Sequence, residues 1–166
     1  PEGLGEQLAA AGLARTYEDS GWCYVELTSS AIVKRKGRQL DLSKRGDAKQ
    51  YQPIGLAIGN FIVGTCEQNR VPPTHPEDMT HELETVKVFT GKGDLPVVAG
   101  MYHSLFELVA PTIEEADYSN LGWGAPEGAK VAKSLPSMSS LTSINLSFNK
   151  LGPEGAKALV PAIAVA

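Results

Sequence analysis

Ile144-Asn145-Leu146-Ser147, followed by Asn149-Lys150-Leu151-Gly152-Pro153-Glu154-Gly155-Ala156-Lys157, is the stretch on which the reading of this chain turns. A near copy stands one short period upstream. It runs Ala116-Asp117-Tyr118-Ser119, then Asn120-Leu121-Gly122, then Pro126-Glu127-Gly128-Ala129-Lys130. Glu127 recurs as Glu154 and Asp117 as Asn145; the two spacings differ by a single place, a one-residue slip between the copies. A short fixed period of this kind marks units that cannot each bury an apolar face alone and must stack to do so.

Each copy reads as strand, bend and helix. Leu141, Ile144 and Leu146 are spaced to turn apolar side chains to one side of a short strand. Ser143, Asn145 and Ser147 then face the other way. Asn149 suits the bend, since its amide can bond nearby backbone and tolerates unusual dihedrals. Pro153 fits a first helical turn, where a missing N–H costs nothing, and Glu154 complements the helix N-terminus. Ala156, Ala158, Leu159 and Ile163 are expected to face the strand layer. With Leu-x-x-Ile-x-Leu opening the unit and Leu-Gly-Pro-Glu-Gly-Ala-Lys-Ala-Leu in its helical half, the C-terminal quarter of the chain, Ala116 to Ala164, resembles leucine-rich repeats of the ribonuclease-inhibitor subtype. The resemblance implies a stack with a strand face open to protein partners, on which Asp117, Ser119, Ser143, Asn145 and Ser147 are the candidate binding residues.

Two units are too few to enclose a solenoid core. The chain is therefore expected to be cut from a longer array, or to have its stack closed by the preceding residues. Pro1-Glu2-Gly3 echoes the helix start, but no Leu-x-x-Leu-x-Leu run precedes it and Leu4-Gly5-Glu6 departs from the Gly-Ala-Lys order.

At 166 residues the chain can bury a real core. Its net charge of −4 argues against a nucleic-acid binder, which would carry a basic face. The small cluster Lys34-Arg35-Lys36 with Arg38, Lys44 and Arg45 reads as a solvated helix end and loop. Cys23 and Cys66 offer neither a disulfide framework nor metal spacing, and reduced thiols point to an intracellular protein. The longest apolar run, 54–63, is broken by glycines and falls short of the roughly 18 residues a membrane helix needs. No secretory signal is visible at the first residues.

Upstream of the repeats the chain reads as mainly helical. Residues 1–14 form one expected helix, with Leu4, Leu8 and Ala11 on one side. Glu18-Asp19-Ser20 opens a second, whose apolar stripe is Trp22, Val25, Ser29, Ile32 and Val33 and whose stop is Gly37. Residues 39–43 alternate like a half-buried strand, and 44–70 resolve only into loop plus a short element. Val71-Pro72-Pro73 is a break. Thr74-His75-Pro76-Glu77 has the form of a capping box. It is followed by a helix with Met79, Leu83, Val86 and Phe89 on one face, closed by Gly91. Asp94 caps a further helix with a broad apolar face (Val97, Val98, Met101, Tyr102, Leu105, Phe106, Val109) that ends at Pro111.

Trp22 and Glu26 lie four positions apart, on one helical face. A carboxylate beside an indole would be partly desolvated and suited to acid–base work. This Trp-x-x-x-Glu after a polar turn, with residues 17–110 around it, resembles the second half of a Toll/interleukin receptor (TIR) domain. That resemblance implies NAD hydrolysis, with NAD as substrate and Glu26 as the catalytic residue. Other clusters carry less. His75, Glu77, Asp78, His81, Glu82 and Glu84 lack the second His of a zinc-protease helix, and no metal site is expected. Gly91-Lys92-Gly93-Asp94 lacks the spacing of a phosphate loop. His103, among Met101, Tyr102, Leu105 and Phe106, is expected at a helix surface or in the core.

The expected fold is α/β. A helix-rich domain with a short sheet, residues 1–112, leads into about two strand–helix leucine-rich repeats, residues 113–166. The expected function is protein–protein interaction or scaffolding without a cofactor, in partnership with another protein or a larger complex. A TIR-like NAD hydrolase fragment and an accessory subunit are the alternatives. Neither a nucleic-acid partner nor a membrane span is expected.

Overall fold

The structure, a computed structural model, describes residues 19–34, 70–91 and 93–164. The helix expected over 1–14, the strand over 39–43, most of 44–70, Gly37 and Cys66 lie outside these residues. Five α-helices are described: α1 (Gly21–Val33), α2 (Pro76–Thr85), α3 (Asp94–Val109), α4 (Ala125–Ser134) and α5 (Gly152–Ile163). Two strands, β1 (Glu115–Asp117) and β2 (Ser143–Asn145), pair in parallel.

The register pairs Glu115 with Ser143, Ala116 with Ile144 and Asp117 with Asn145, so equivalent residues of the two copies sit side by side. A parallel pair needs a crossover, and α4 supplies it. The result is two stacked strand–loop–helix units, β1–α4 and β2–α5. The ladder runs on past the strands, with Tyr118 N–H donating to Asn145 O at 2.8 Å and Asn120 N–H to Ser147 O at 2.9 Å.

Helices α4 and α5 lie in close contact because the repeated Pro-Glu-Gly sequence leaves no side chain between them. A Cβ on Gly155 would stand 2.9 Å from Leu151 Cβ and 3.4 Å from Ala125 Cα. One on Gly128 would stand 3.4 Å from Gly155 Cα. Leu159 is buried and Ala158 and Ala162 are partly so, whereas Ala156 and Ile163 are exposed. The inward stripe of α5 is thus narrower than its alternation of Ala and Leu implies.

Upstream, the pattern gives the helices but misplaces several ends and faces. α1 buries Tyr24, Val25, Leu27, Thr28, Ala31 and Ile32, while Trp22 and Val33 are exposed. Trp22 instead donates its indole N–H to Asp94 Oδ2 at 3.0 Å. α2 is capped by His75, whose Nδ1 faces the Glu77 N–H at 3.4 Å; the Thr74 hydroxyl turns away to Pro72 O. The capping box does not form, because Thr74 lies one residue too early. α2 also ends at Thr85, which leaves Val86 exposed. The next residues bend back to α1, where Val88 forms a parallel bridge with Ser20. Phe89 there lies over Gly21, where a Cβ would collide with its ring. α3 has Gly93 as its N-cap, with Asp94 its first helical residue. Only Val98, Tyr102 and Phe106 of α3 are buried. Val97 and Met101 remain more than half exposed, because the helices of the core cover one stripe and not a broad face.

One cluster of buried apolar side chains runs from Tyr24 and Ile32 through Met79, Leu83, Tyr102 and Phe106 to Tyr118, Trp123, Val131 and Leu159. Both halves share it.

Candidate functional site

The parallel pair turns alternate side chains to opposite sides. Ala116 and Tyr118 are buried and Ile144 and Leu146 are partly buried, against the helices. Asp117, Ser143, Asn145 and Ser147 are exposed and Ser119 is half-exposed, so the five residues singled out by pattern share one side of the sheet region. Glu115 joins them beside Ser143, a neighbour that the spacing argument left out because Glu115 precedes the quoted copy.

Both units close their strands with the same device. Asp117 Oδ1 accepts from the Ser119 N–H at 3.0 Å, and Asn145 Oδ1 accepts from the Ser147 N–H at 3.1 Å and from its hydroxyl. These turns hold the Asp117 and Asn145 side chains against their own backbone.

Asn149 holds the bend, as its type implied. Its Oδ1 accepts from Leu121 N–H at 3.0 Å and Trp123 N–H at 3.2 Å, both in the preceding unit. Its Nδ2 donates to Tyr118 O at 2.6 Å and Leu146 O at 3.0 Å. One amide thus ties four backbone groups across the two layers.

At the loop tip the two units diverge. Asn120 and Phe148, equivalent positions of the two copies, both take the left-handed backbone conformation, with φ of 51° and 58°. Asn tolerates it; an aromatic residue there is a genuine outlier. Phe148 is also 84% exposed. The strain there is not offset by packing of the ring. Sequence reasoning passed over Phe148, although its place opposite Asn120 in the repeat was visible.

The upstream segment closes the first unit. Arg70 donates from Nε to Ala31 O at 2.8 Å and from Nη1 to Asp117 O at 3.2 Å, and its guanidinium lies 4.8 Å from the centre of the Tyr118 ring. Its carbonyl accepts the Trp123 indole N–H at 2.9 Å. Burial pulls the Arg70 pKa down, while Tyr118 and Asp117 oppose the shift. Ser134 Oγ donates to Pro73 O at 3.1 Å. Glu82 of α2 accepts from Lys130 at 2.5 Å and from the Tyr24 hydroxyl, and Lys133 pairs with Asp78. The repeated Lys of the first copy is therefore a clasp to α2.

Trp22 and Glu26 are placed differently from the expectation. Both are exposed on the rim of an apolar groove of about 740 Å³ between α1 and α3, whose walls include Val25, Met101, Leu105 and Leu108. The indole is held by Asp94, and no buried stripe begins at Trp22. All three histidines of the sequence line a second cleft, of about 450 Å³, with Glu77, Glu84 and Glu107. His103 lies on the surface of α3, 3.0 Å from Glu107. Among the described residues no group of His, Cys, Asp and Glu has the arrangement of a metal site, and no helix is long and apolar enough to cross a membrane.

Comparison with known proteins agrees with the second unit. No curated protein and no solved structure matches the chain. The family model described as Leucine Rich repeat matches residues 137–160, the span that holds β2, Asn149 and most of α5. That stretch is similar to a leucine-rich repeat.

Proposed function

We propose that this chain is a protein-interaction module in which the exposed strand side of the stack, Asp117, Ser119, Ser143, Asn145 and Ser147, meets a protein partner. The observation that carries this is the in-register pairing of β1 with β2, which gathers the polar positions of both units on one exposed side. Phe148, held in a strained turn beside that side, would add the apolar anchor that binding energy usually needs. On this reading both copies are repeats of the ribonuclease-inhibitor subtype, a reading supported by the matched register and the shared turns at Asp117 and Asn145. The described residues upstream of 113 then act as the lid of the stack and 113–166 as its repeat part.

The test is a comparison of interactors captured in cells by proximity labelling with the wild type and with Ser143→Arg. Ser143 is exposed on the strand, so its replacement should leave the melting temperature unchanged. Loss of a wild-type interactor is the expected result. An interactor set unchanged from the wild type in both Ser143→Arg and Phe148→Asn would refute the assignment.

A further inference from the structure

The groove of about 740 Å³ between α1 and α3 belongs to neither strand–helix unit. Its shape follows from α3, which carries two apolar stripes. Val98, Tyr102 and Phe106 form the first and are at most 2% exposed. Val97, Met101 and Leu108 form the second and are 55%, 57% and 72% exposed. At about 100° per residue these three side chains fall within roughly 40° of one another, along about 16 Å of helix. Across the groove α1 presents Trp22, Val25, Glu26 and Ser29, which share one helical face. The bond from the Trp22 indole to Asp94 ties the two walls together at one end. Buried Val25, Val98 and Tyr102 make the floor.

Single exposed apolar residues need no explanation, but a continuous row of them beside an apolar groove marks an interaction surface. The four- and seven-residue intervals of Val97, Met101 and Leu108 are those of a helix-packing seam. Charge says which kind of helix fits. Together α1 and α3 hold Glu26, Asp94 and Glu107, and neither helix contains a Lys or Arg. The bond that Asp94 accepts from Trp22 comes from a neutral indole and leaves the carboxylate its charge. A second copy of the chain laid across this face would set carboxylates against carboxylates. A helix flanked by Lys or Arg would meet the opposite sign.

We propose that the α1–α3 groove receives an amphipathic helix of a partner protein, apolar where it meets Met101 and Leu108 and basic along its flanks. This is helix-in-groove recognition, with the apolar row supplying affinity and the carboxylates of the two walls fixing orientation. About three turns of partner helix cover the row from Val97 to Leu108. Leu105, half-buried between the two stripes, packs under the middle of that helix. The groove and the strand side are separate surfaces, so the Ser143→Arg comparison can fail without touching this assignment.

The probe is a synthetic helical peptide of about 14 residues with leucines at heptad spacing and lysines on both flanks. Its twin carries glutamate in place of every lysine. Each is titrated into the isotope-labelled 166-residue protein and followed by NMR. The expected result is saturable binding of the basic peptide, with shifts centred on the Trp22 indole N–H and the amides of Met101 and Leu108. The acidic twin should bind at least about tenfold more weakly. Replacing Met101→Gln and Leu108→Gln together should weaken the basic peptide at least about tenfold. Both side chains are more than half exposed, so the melting temperature should not change. Failure of the basic peptide to bind, equal binding of the twins, or binding unchanged in the double variant would overturn the proposal. Self-association of the protein alone that the double variant abolishes would also overturn it, by assigning the groove to a second copy.

Discussion

Replacing Asn149 by Ala tests whether the two units are held by one amide. The substitution removes two bonds accepted by Oδ1, from Leu121 and Trp123, and two donated by Nδ2, to Tyr118 and Leu146. Each hydrogen bond contributes about 1 kcal/mol net, and a donor or acceptor left buried without a partner costs about 1–3 kcal/mol. Asn149 is only partly buried, so water can reach some of the freed groups. The expected loss is therefore about 3 kcal/mol rather than the sum of four full penalties. For a chain of this size that corresponds to a fall in Tm of roughly 6–12 °C. Thermal unfolding followed by circular dichroism measures it, and faster exchange of the Leu121 and Trp123 amides locates it. Asn149→Asp retains the acceptor but sets a carboxylate against the Tyr118 and Leu146 carbonyls, so it should fail to restore stability. A fall of less than about 2 °C for Asn149→Ala, with those two amides still protected, would refute the reasoning.

Phe148→Asn should stabilise the protein by about 1 kcal/mol, because it relieves a left-handed aromatic that is 84% exposed; urea unfolding reads the gain directly. Arg70→Met keeps the aliphatic stem but loses the bonds to Ala31 O and Asp117 O and the contact with Tyr118. It should cost about 2–4 kcal/mol and open the first strand to hydrogen exchange. Burial raises the pKa of Tyr24, Tyr102 and Tyr118, with the Glu82 hydrogen bond adding to the effect at Tyr24. A raised folded-state pKa means that the stabilisation is complete below the unfolded value of about 10 and is lost as the pH rises above it. The three phenols should therefore ionise together with alkaline unfolding, seen as tyrosinate absorbance rising in step with loss of circular dichroism. Ionisation of all tyrosines near pH 10 with the fold intact would contradict their burial.

How far the sequence could be read followed how local each determinant was. β2, its bend at Asn149 and the helix that begins near Pro153 depend on close neighbours in the chain, and all were legible. The inward and outward sides of the strands were legible too, because a period of two admits no other assignment once one side is buried. The stripe of α1 was misjudged because Trp22 is apolar by composition yet carries an N–H, which it satisfies on Asp94, 72 positions away. The capping of α2 went to His75 rather than Thr74 for a similar reason, since the Thr hydroxyl found Pro72 O. Phe148 was overlooked because φ cannot be read from residue type, although its alignment with Asn120 would have flagged it.

The repeat period, read as letters, determined that the chain builds strand–bend–helix layers and which side of each strand is wet. Those properties follow from backbone periodicity alone. Only the tertiary structure decided that Arg70, Asp78 and Glu82 close one side of the stack. Such pairings join residues far apart in the chain, and their geometry exists only once the intervening helices have packed.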